Sequence, residues 1–346
     1  MLLNSICKEI ELRQNYLEGE VIRTIYFGGG TPSLLTPEEL GILLKKIKEN
    51  FHCEPEEITI EVNPDDITDE YIHALKELSF NRISMGIQSF RQEDLIRLNR
   101  RHSPEQAIRA VKTSQAEGLT NISIDLIYGL PGQTYDQWKY NLNTALQLEV
   151  PHLSAYHLTY EKNTPLYLQK EEGKIIPVTE EVSESMFRLL IDLTRENGYS
   201  HYEISNFAKP GMESKHNSSY WKNIPYLGLG PSAHSYNLKS RQWNVPDISS
   251  YINFVHAATS FYEIEELDIT DKYNEHIITS LRSCEGINTE NIKTLFGDKY
   301  YLYFQKNAAK FLRIELLEWN TPNIRLTSKG LFISDSILSD LLMIED

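Results

Sequence analysis

Apolar positions recur along the first 160 residues in two alternating rhythms. Five short stretches, "TIYFGG" (24–29), "EITIEVN" (57–63), "RISMGIQSF" (82–90), "NISIDLIYG" (121–129) and "HLSAYHLTY" (152–160), are rich in β-branched and aromatic residues and read as strands. Between them run "TPEELGILLKKIKENF", "TDEYIHALKEL", "SPEQAIRAVKTSQAEG" and "TYDQWKYNLNTALQL", whose apolar residues follow helical spacing. The first of these has Thr36 as N-cap and Pro37 at the opening helical position. Strand and helix alternating at this interval predict βαβ units and a parallel sheet, open or curled into a barrel.

The strands carry a second signal. Ile58, Ile60 and Val62 share one face of their strand, with Thr59, Glu61 and Asn63 on the other. Ile83, Met85 and Ile87 oppose Ser84, Gly86 and Gln88, and Ile122, Ile124 and Leu126 oppose Ser123 and Asp125. Parallel strands covered on both sides usually read as continuous apolar runs. Three successive strands here keep one small or polar face. If the sheet curls, Glu61, Gln88 and Asp125 converge at its C-terminal mouth, where barrel ligand sites sit, beside the glycines at 28–30. Taken singly, each polar residue also fits a satisfied buried group or a strand-end cap.

Beyond residue 200 the texture changes. "HYEISNFAKPGMESKHNSSYWKNIPYLGLGPSAHSY" has many Gly, Pro, Ser, Asn and aromatic residues and little periodicity, and reads as a long functional loop with short strands. From about 263 helical patterns return, followed by a short β element and a closing helix. That order predicts a small winged-helix-like α+β domain. The expected division is 1–205, 206–262 and 263–346.

Composition narrows the function classes. The 346 residues include 34 basic and 49 acidic side chains, a net charge of −15 that repels nucleic-acid phosphates and argues against a nucleic-acid partner. No apolar stretch is long enough to span a bilayer and no signal-peptide layout is present, so the chain reads as cytoplasmic and not itself a membrane protein. Cys7, Cys53 and Cys284 are too scattered for a disulfide framework or a metal motif.

The ordered set "YFGGGTPSLL", "IEVNP", "SMGIQSF", "LNRRHS", "IDLIYGLPGQT", "LSAYHLTYEKNTPLY" and "HYEISNFAKPG" resembles radical SAM proteins related to oxygen-independent coproporphyrinogen III dehydrogenase. With "HNSSYW" (216–221) and "YLGLGPSAHSY" (226–236) it is most similar to the HemW-type haem chaperones, over nearly the whole chain. The resemblance implies a partial (β/α)6-type barrel and S-adenosylmethionine as cofactor. It implies that Gly29, Gly30 and Thr31 hold the amino acid end of that cofactor. Glu61, Gln88, Arg100 and Asp125 would bind the rest, and Thr159 matches a backbone contact. It further implies haem as ligand, with His216 as the iron ligand, Tyr220 and Trp221 beside the porphyrin, and His201 and His234 as competing ligands. The partners implied are haem-acceptor proteins, membrane-associated ones among them.

One departure from the family stands out. Its members hold a [4Fe–4S] cluster on a CxxxCxxC loop that should precede "KEIELRQNYL". The chain starts at that helix, so the expectation is a barrel missing its first strand, with an exposed edge, no cluster-ligating cysteines, and no redox activity as written. Three functions stay open: a haem chaperone on a radical SAM scaffold, a porphyrinogen-oxidising or other radical SAM enzyme of the coproporphyrinogen III oxidase kind, and a plain binding module whose acidic C-terminal domain docks a protein partner.

Overall fold

A computed structural model describes residues 1–344. The chain folds as two compact units. One contains Met1–Gly29, Leu35–Ile58 and the chain from Ser214 on; the other contains Gly30–Leu34 and Thr59–Glu213.

In the first unit, β1 (Ile22–Phe27) lies beside the opening half of β2 (Cys53–Val62), and the Ile22 amide donates to the His52 carbonyl at 2.9 Å. The second unit contains the end of β2 with β3 (Arg82–Gln88), β4 (Ile122–Tyr128), β5 (His152–His157), β6 (Ser200–Glu203) and β7 (Asn206–Ala208). Their order is β2-β3-β4-β5-β7-β6, with β2 to β5 parallel and β7 antiparallel to both its neighbours. The predicted strands are therefore β1 to β5. Each parallel strand lies next to its predecessor with no reversal of order, which is the winding of a curled half-barrel and not of a doubly wound sheet. The antiparallel pair β6 and β7 comes from "SHYEISNFA", at the start of the stretch read as a long loop with short strands, and its strands have only four and three residues.

Local chemistry sets the crossovers. Helices Asp69–Glu77, Pro104–Ala116 and Tyr135–Gln147 start at Thr68, Ser103 and Thr134, whose side chains accept the N3 amide. The last two complete a capping box through Gln106 and Gln137. Burying the apolar face supplies the driving force: Ile60, Ile83, Met85, Ile122, Ile124 and Leu126 are fully buried, as is Trp138, whose indole donates to the Met186 carbonyl at 3.0 Å.

The rest of the first unit is built around helix Leu2–Leu12, packed on helices Pro37–Asn50 and Ile248–Ala257. Glu9 on that helix is fully buried and accepts from Tyr251 Oη at 2.5 Å, Asn244 Nδ2 at 2.7 Å and the Gly230 amide at 2.8 Å. Burial raises its pKa and these donors oppose the rise. The "YLGLGPSAHSY" loop is thus moored to the first helix. Strands β8 (His234–Tyr236), β9 (Ser240–Asn244) and β10 (Tyr262–Glu266) form a small antiparallel sheet. A Cβ on Gly228 would lie 2.2 Å from the His234 carbonyl oxygen, so only glycine admits this approach. Helix Ile269–Leu281, β11 (Ile287–Asn288), helices Thr289–Phe296 and Asp298–Arg313, then β12 (Leu317–Asn320) and β13 (Asn323–Leu326) follow in winged-helix order around Tyr273, Ile277, Ile292 and Phe304.

Candidate functional site

Two sets of candidate residues are built, one in each unit. In the second unit the strand register lines up a polar face. Residues paired across strands project to the same side. Glu61 pairs with Ser84, Ser84 with Ser123, and Ser123 with His152. One step nearer the strand ends, Asp125 pairs with Ser154, Ser154 with Asn206, and Asn206 with Glu203. Ser84 Oγ donates to Asp125 at 3.3 Å, and Ser123 Oγ bonds His152 Nδ1 at 2.7 Å, whose Nε2 meets Tyr202 Oη at 2.8 Å.

Gln88 reaches this face by a different route from simple alternation. The β3–β4 register slips between Met85 and Gln88, and Gln88 adopts φ 68°. The Ile87 carbonyl freed by this bulge accepts from the Ser89 amide at 2.8 Å and bonds His102 Nε2 at 3.1 Å. Gln88 Nε2 then lies 3.1 Å from where a Gly86 Cβ would stand, over the Ser84 side of the strand.

Burial raises the Asp125 carboxyl to about 6, with the Glu61 charge adding to the rise and Ser154, Arg82 and Ser84 opposing it. Arg100, on the turn after helix Gln92–Arg97, is largely exposed; partial burial lowers its pKa, and the charges of Asp125 and Asp65 resist. Gly29 and Gly30 hold φ 73° and 139°, values that side chains resist, and a Cβ on either would meet nothing. Ser33 Oγ donates to Asp66 at 2.6 Å and accepts from the Asn63 amide at 3.3 Å. That tie brings Gly30 and Thr31 to the segment following Glu61. Thr159 lies exposed two residues past β5.

In the first unit, "HNSSYW" lies on helix Lys215–Trp221, where the sequence pattern had suggested loop. The reason is tertiary. Buried Glu57 on β2 accepts from the Lys215 and His216 amides, both at 3.0 Å, and Ser214 Oγ accepts from the Asn217 amide. A carboxylate on the free amides of a helix N-terminus stabilises that end. His216 stacks on Tyr26 with centroids 4.7 Å apart, and Tyr220 meets Tyr226 edge-on at 4.8 Å. Trp221 Nε1 is sealed from solvent with no acceptor. Of the competing histidines, His201 stacks on Phe207 at 4.2 Å and burial lowers its pKa to about 4, so it is committed to its strand pair. His234 is exposed near Trp243, with ring centroids 6.3 Å apart.

Residues 8–145 match the family model "Radical SAM superfamily", and residues 267–333 match "HemN C-terminal domain". The "Heme chaperone HemW" of Lactococcus lactis is 34% identical over 94% of this chain and 86% of its own length. That of Bacillus subtilis is 31% identical over 93% and 86%. The chain belongs to the HemW family. The solved coproporphyrinogen III oxidase HemN of Escherichia coli shares the fold, with a TM-score of 0.84 over 99% of this chain and 82% of that one at 23% identity.

Membership in the radical SAM superfamily implies S-adenosylmethionine and a [4Fe–4S] cluster. The polar face and the open glycine turn fit a polar, partly charged cofactor. The thiols do not fit a cluster: Cys7, Cys53 and Cys284 lie on a helix, on β2 and past helix Ile269–Leu281. Among the described residues no three His, Cys, Asp or Glu side chains converge on a metal position. No helix among the described residues is long and apolar enough to cross a membrane.

Sequence reasoning missed Ser154, Tyr156, Glu203 and Asn206. Tyr156 is 44% exposed as a residue, yet burial and the charges of Asp125, Glu203 and Glu61 raise its hydroxyl pKa, while a hydrogen bond to Ser154 opposes this. Asn206 is buried with no partner for Oδ1. Alternation along β5 could have found Ser154 and Tyr156. The two residues on the antiparallel pair had no such signal.

Proposed function

We propose that the protein is a haem carrier, holding haem at helix Lys215–Trp221 and passing it to haem-requiring proteins. The observation that carries the reading is His216, an imidazole stacked on Tyr26 and edge-on to Tyr220, which itself meets Tyr226, in a family with members named haem chaperones. Imidazole nitrogen suits haem iron, and broad aromatic faces suit a flat macrocycle. The orphan N–H of Trp221 favours an acceptor group on the same ligand.

In the same reading the polar sheet face receives S-adenosylmethionine. Gly29, Gly30 and Thr31 take its amino acid end, and Glu61, Gln88, Arg100 and Asp125 the remainder, with a backbone contact at Thr159. Carboxylates at Glu61 and Asp125 suit hydroxyl and ammonium donors, and Arg100 suits a carboxylate. The acceptors are haem-requiring proteins, membrane-associated ones among them. The sparse, scattered cysteine usage of the sequence, with no disulfide framework, supports the reducing cytoplasm as the location.

The test is haem titration followed at the Soret band, then transfer to an apo-globin. Wild type should bind and release haem, and His216→Ala should lose the ligand-field signature and most of the affinity. Unchanged spectrum and affinity in the variant would rule out His216 as the ligand.

A further inference from the structure

Both ring nitrogens of His216 are engaged, and by unequal partners. Thr24 Oγ1 on β1 lies 2.9 Å from Nδ1, and Tyr220 Oη lies 2.9 Å from Nε2. A neutral imidazole has one N–H and one lone pair, and only the lone pair binds a metal. The partner of the other nitrogen decides which nitrogen that is.

Thr24 is half-buried on a strand, with a β-branched side chain of restricted χ1. Tyr220 stands one turn from His216 on a seven-residue helix and is 37% exposed. It is held there by the bond to His216 and by its edge-on contacts with the His216 and Tyr226 rings. Of the two partners, Tyr220 is the one that rotation about its side-chain bonds can move into solvent.

We propose that Thr24 positions His216 by accepting its Nδ1 proton, and that Tyr220 caps the Nε2 lone pair until a porphyrin metal displaces it. This rests on His216 as the haem ligand. A phenol keeps its proton at neutral pH and at 2.9 Å can donate it to Nε2, which agrees with the lone pair lying there. Exchange is one for one: the O–H···Nε2 bond breaks, the metal–Nε2 bond forms, the phenol keeps its proton and turns to water. Trapping the apo imidazole this way costs haem affinity but keeps His216 oriented when no ligand is bound.

The test uses the full chain. Long-range ¹⁵N–¹H spectra of the apoprotein, assigned against His216→Ala, should show His216 protonated at Nδ1. Thr24→Val should mix the tautomers, and Thr24→Ser, which keeps the hydroxyl, should restore the wild-type pattern. In haem titration Tyr220→Phe keeps the ring and removes the cap, so it should bind about fivefold tighter, the worth of one neutral hydrogen bond. Thr24→Val should bind more weakly by a similar factor. An Nε2–H tautomer in the wild type would overturn the role of Thr24. Weaker haem binding by Tyr220→Phe would overturn the cap and make the hydroxyl a haem contact. Unchanged haem binding by His216→Ala would instead refute the underlying reading, and the tautomer spectra would still judge Thr24 on their own.

Discussion

Replacing half-buried Asp125 by Asn separates the cost of a desolvated charge from the loss of a side chain. Burial pushes the Asp125 carboxyl up to about 6 in the folded chain, from an ordinary aspartate value of about 3.9, because it disfavours the ionised form. The sign follows from linkage. A carboxyl whose folded pKa is raised holds its proton more tightly when folded, so the charged form costs stability, and that cost grows as pH rises from about 4 to about 6. A difference of about two units corresponds to at most about 3 kcal/mol at pH 7. Asn cannot ionise, and its carbonyl still accepts from Ser84. Asp125→Asn should therefore stabilise the second unit by up to about 3 kcal/mol at pH 7, or on the order of 6–12 °C in melting temperature for a unit of this size. The gain should fall to about 0.5 kcal/mol near pH 4, where the folded wild-type carboxyl is neutral and only the unfolded one is still partly ionised. Differential scanning fluorimetry from pH 4 to 8 on both proteins measures it. A melting difference that does not change with pH would refute the reasoning, because only the carboxylate titrates between the two. The same variant should bind S-adenosylhomocysteine more weakly by calorimetry, which would place the stability cost of Asp125 in the service of binding.

Glu9→Ala should destabilise the first unit by about 3–5 kcal/mol in urea unfolding, since it strands the Tyr251 hydroxyl and the Gly230 amide and leaves buried Arg13 without its carboxylate; Glu9→Gln should cost clearly less. Glu57→Gln keeps the shape but removes the charge from the start of helix Lys215–Trp221, at a cost of about 1 kcal/mol, with faster amide exchange confined to that helix. Uniform exchange across the unit would show that Glu57 does not act through the helix terminus. Gly228→Ala should cost about 2 kcal/mol or more, because the added Cβ meets the His234 carbonyl at 2.2 Å and one of two backbone segments must move. An unchanged melting temperature would show that the loop yields freely.

The strands and crossover helices were legible in the sequence because their signals are local. Period-two alternation in 57–63, 82–90 and 121–129, and caps such as Thr36, Ser103 and Thr134, act within a few residues of where they stand. The same alternation put Glu61 and Asp125 on one face, since strand geometry alone decides which side a side chain takes. Gln88 shows the limit of that rule: a bulge broke its parity, and the pairing with β4 that creates the bulge lies almost 40 residues away. "HNSSYW" read as loop because nothing within it starts a helix strongly, whereas the carboxylate that holds its first turn is Glu57, on another strand. Asn206 and Glu203 joined the row of Asp125 and Ser154 only through pairing of short antiparallel strands with β5. The tautomer of His216 depends on Thr24, 192 residues distant along the chain. Periodicity and capping are properties of a segment and survive in the sequence; register, a borrowed helix cap and the partners of an imidazole exist only once distant segments have been brought within hydrogen-bonding distance.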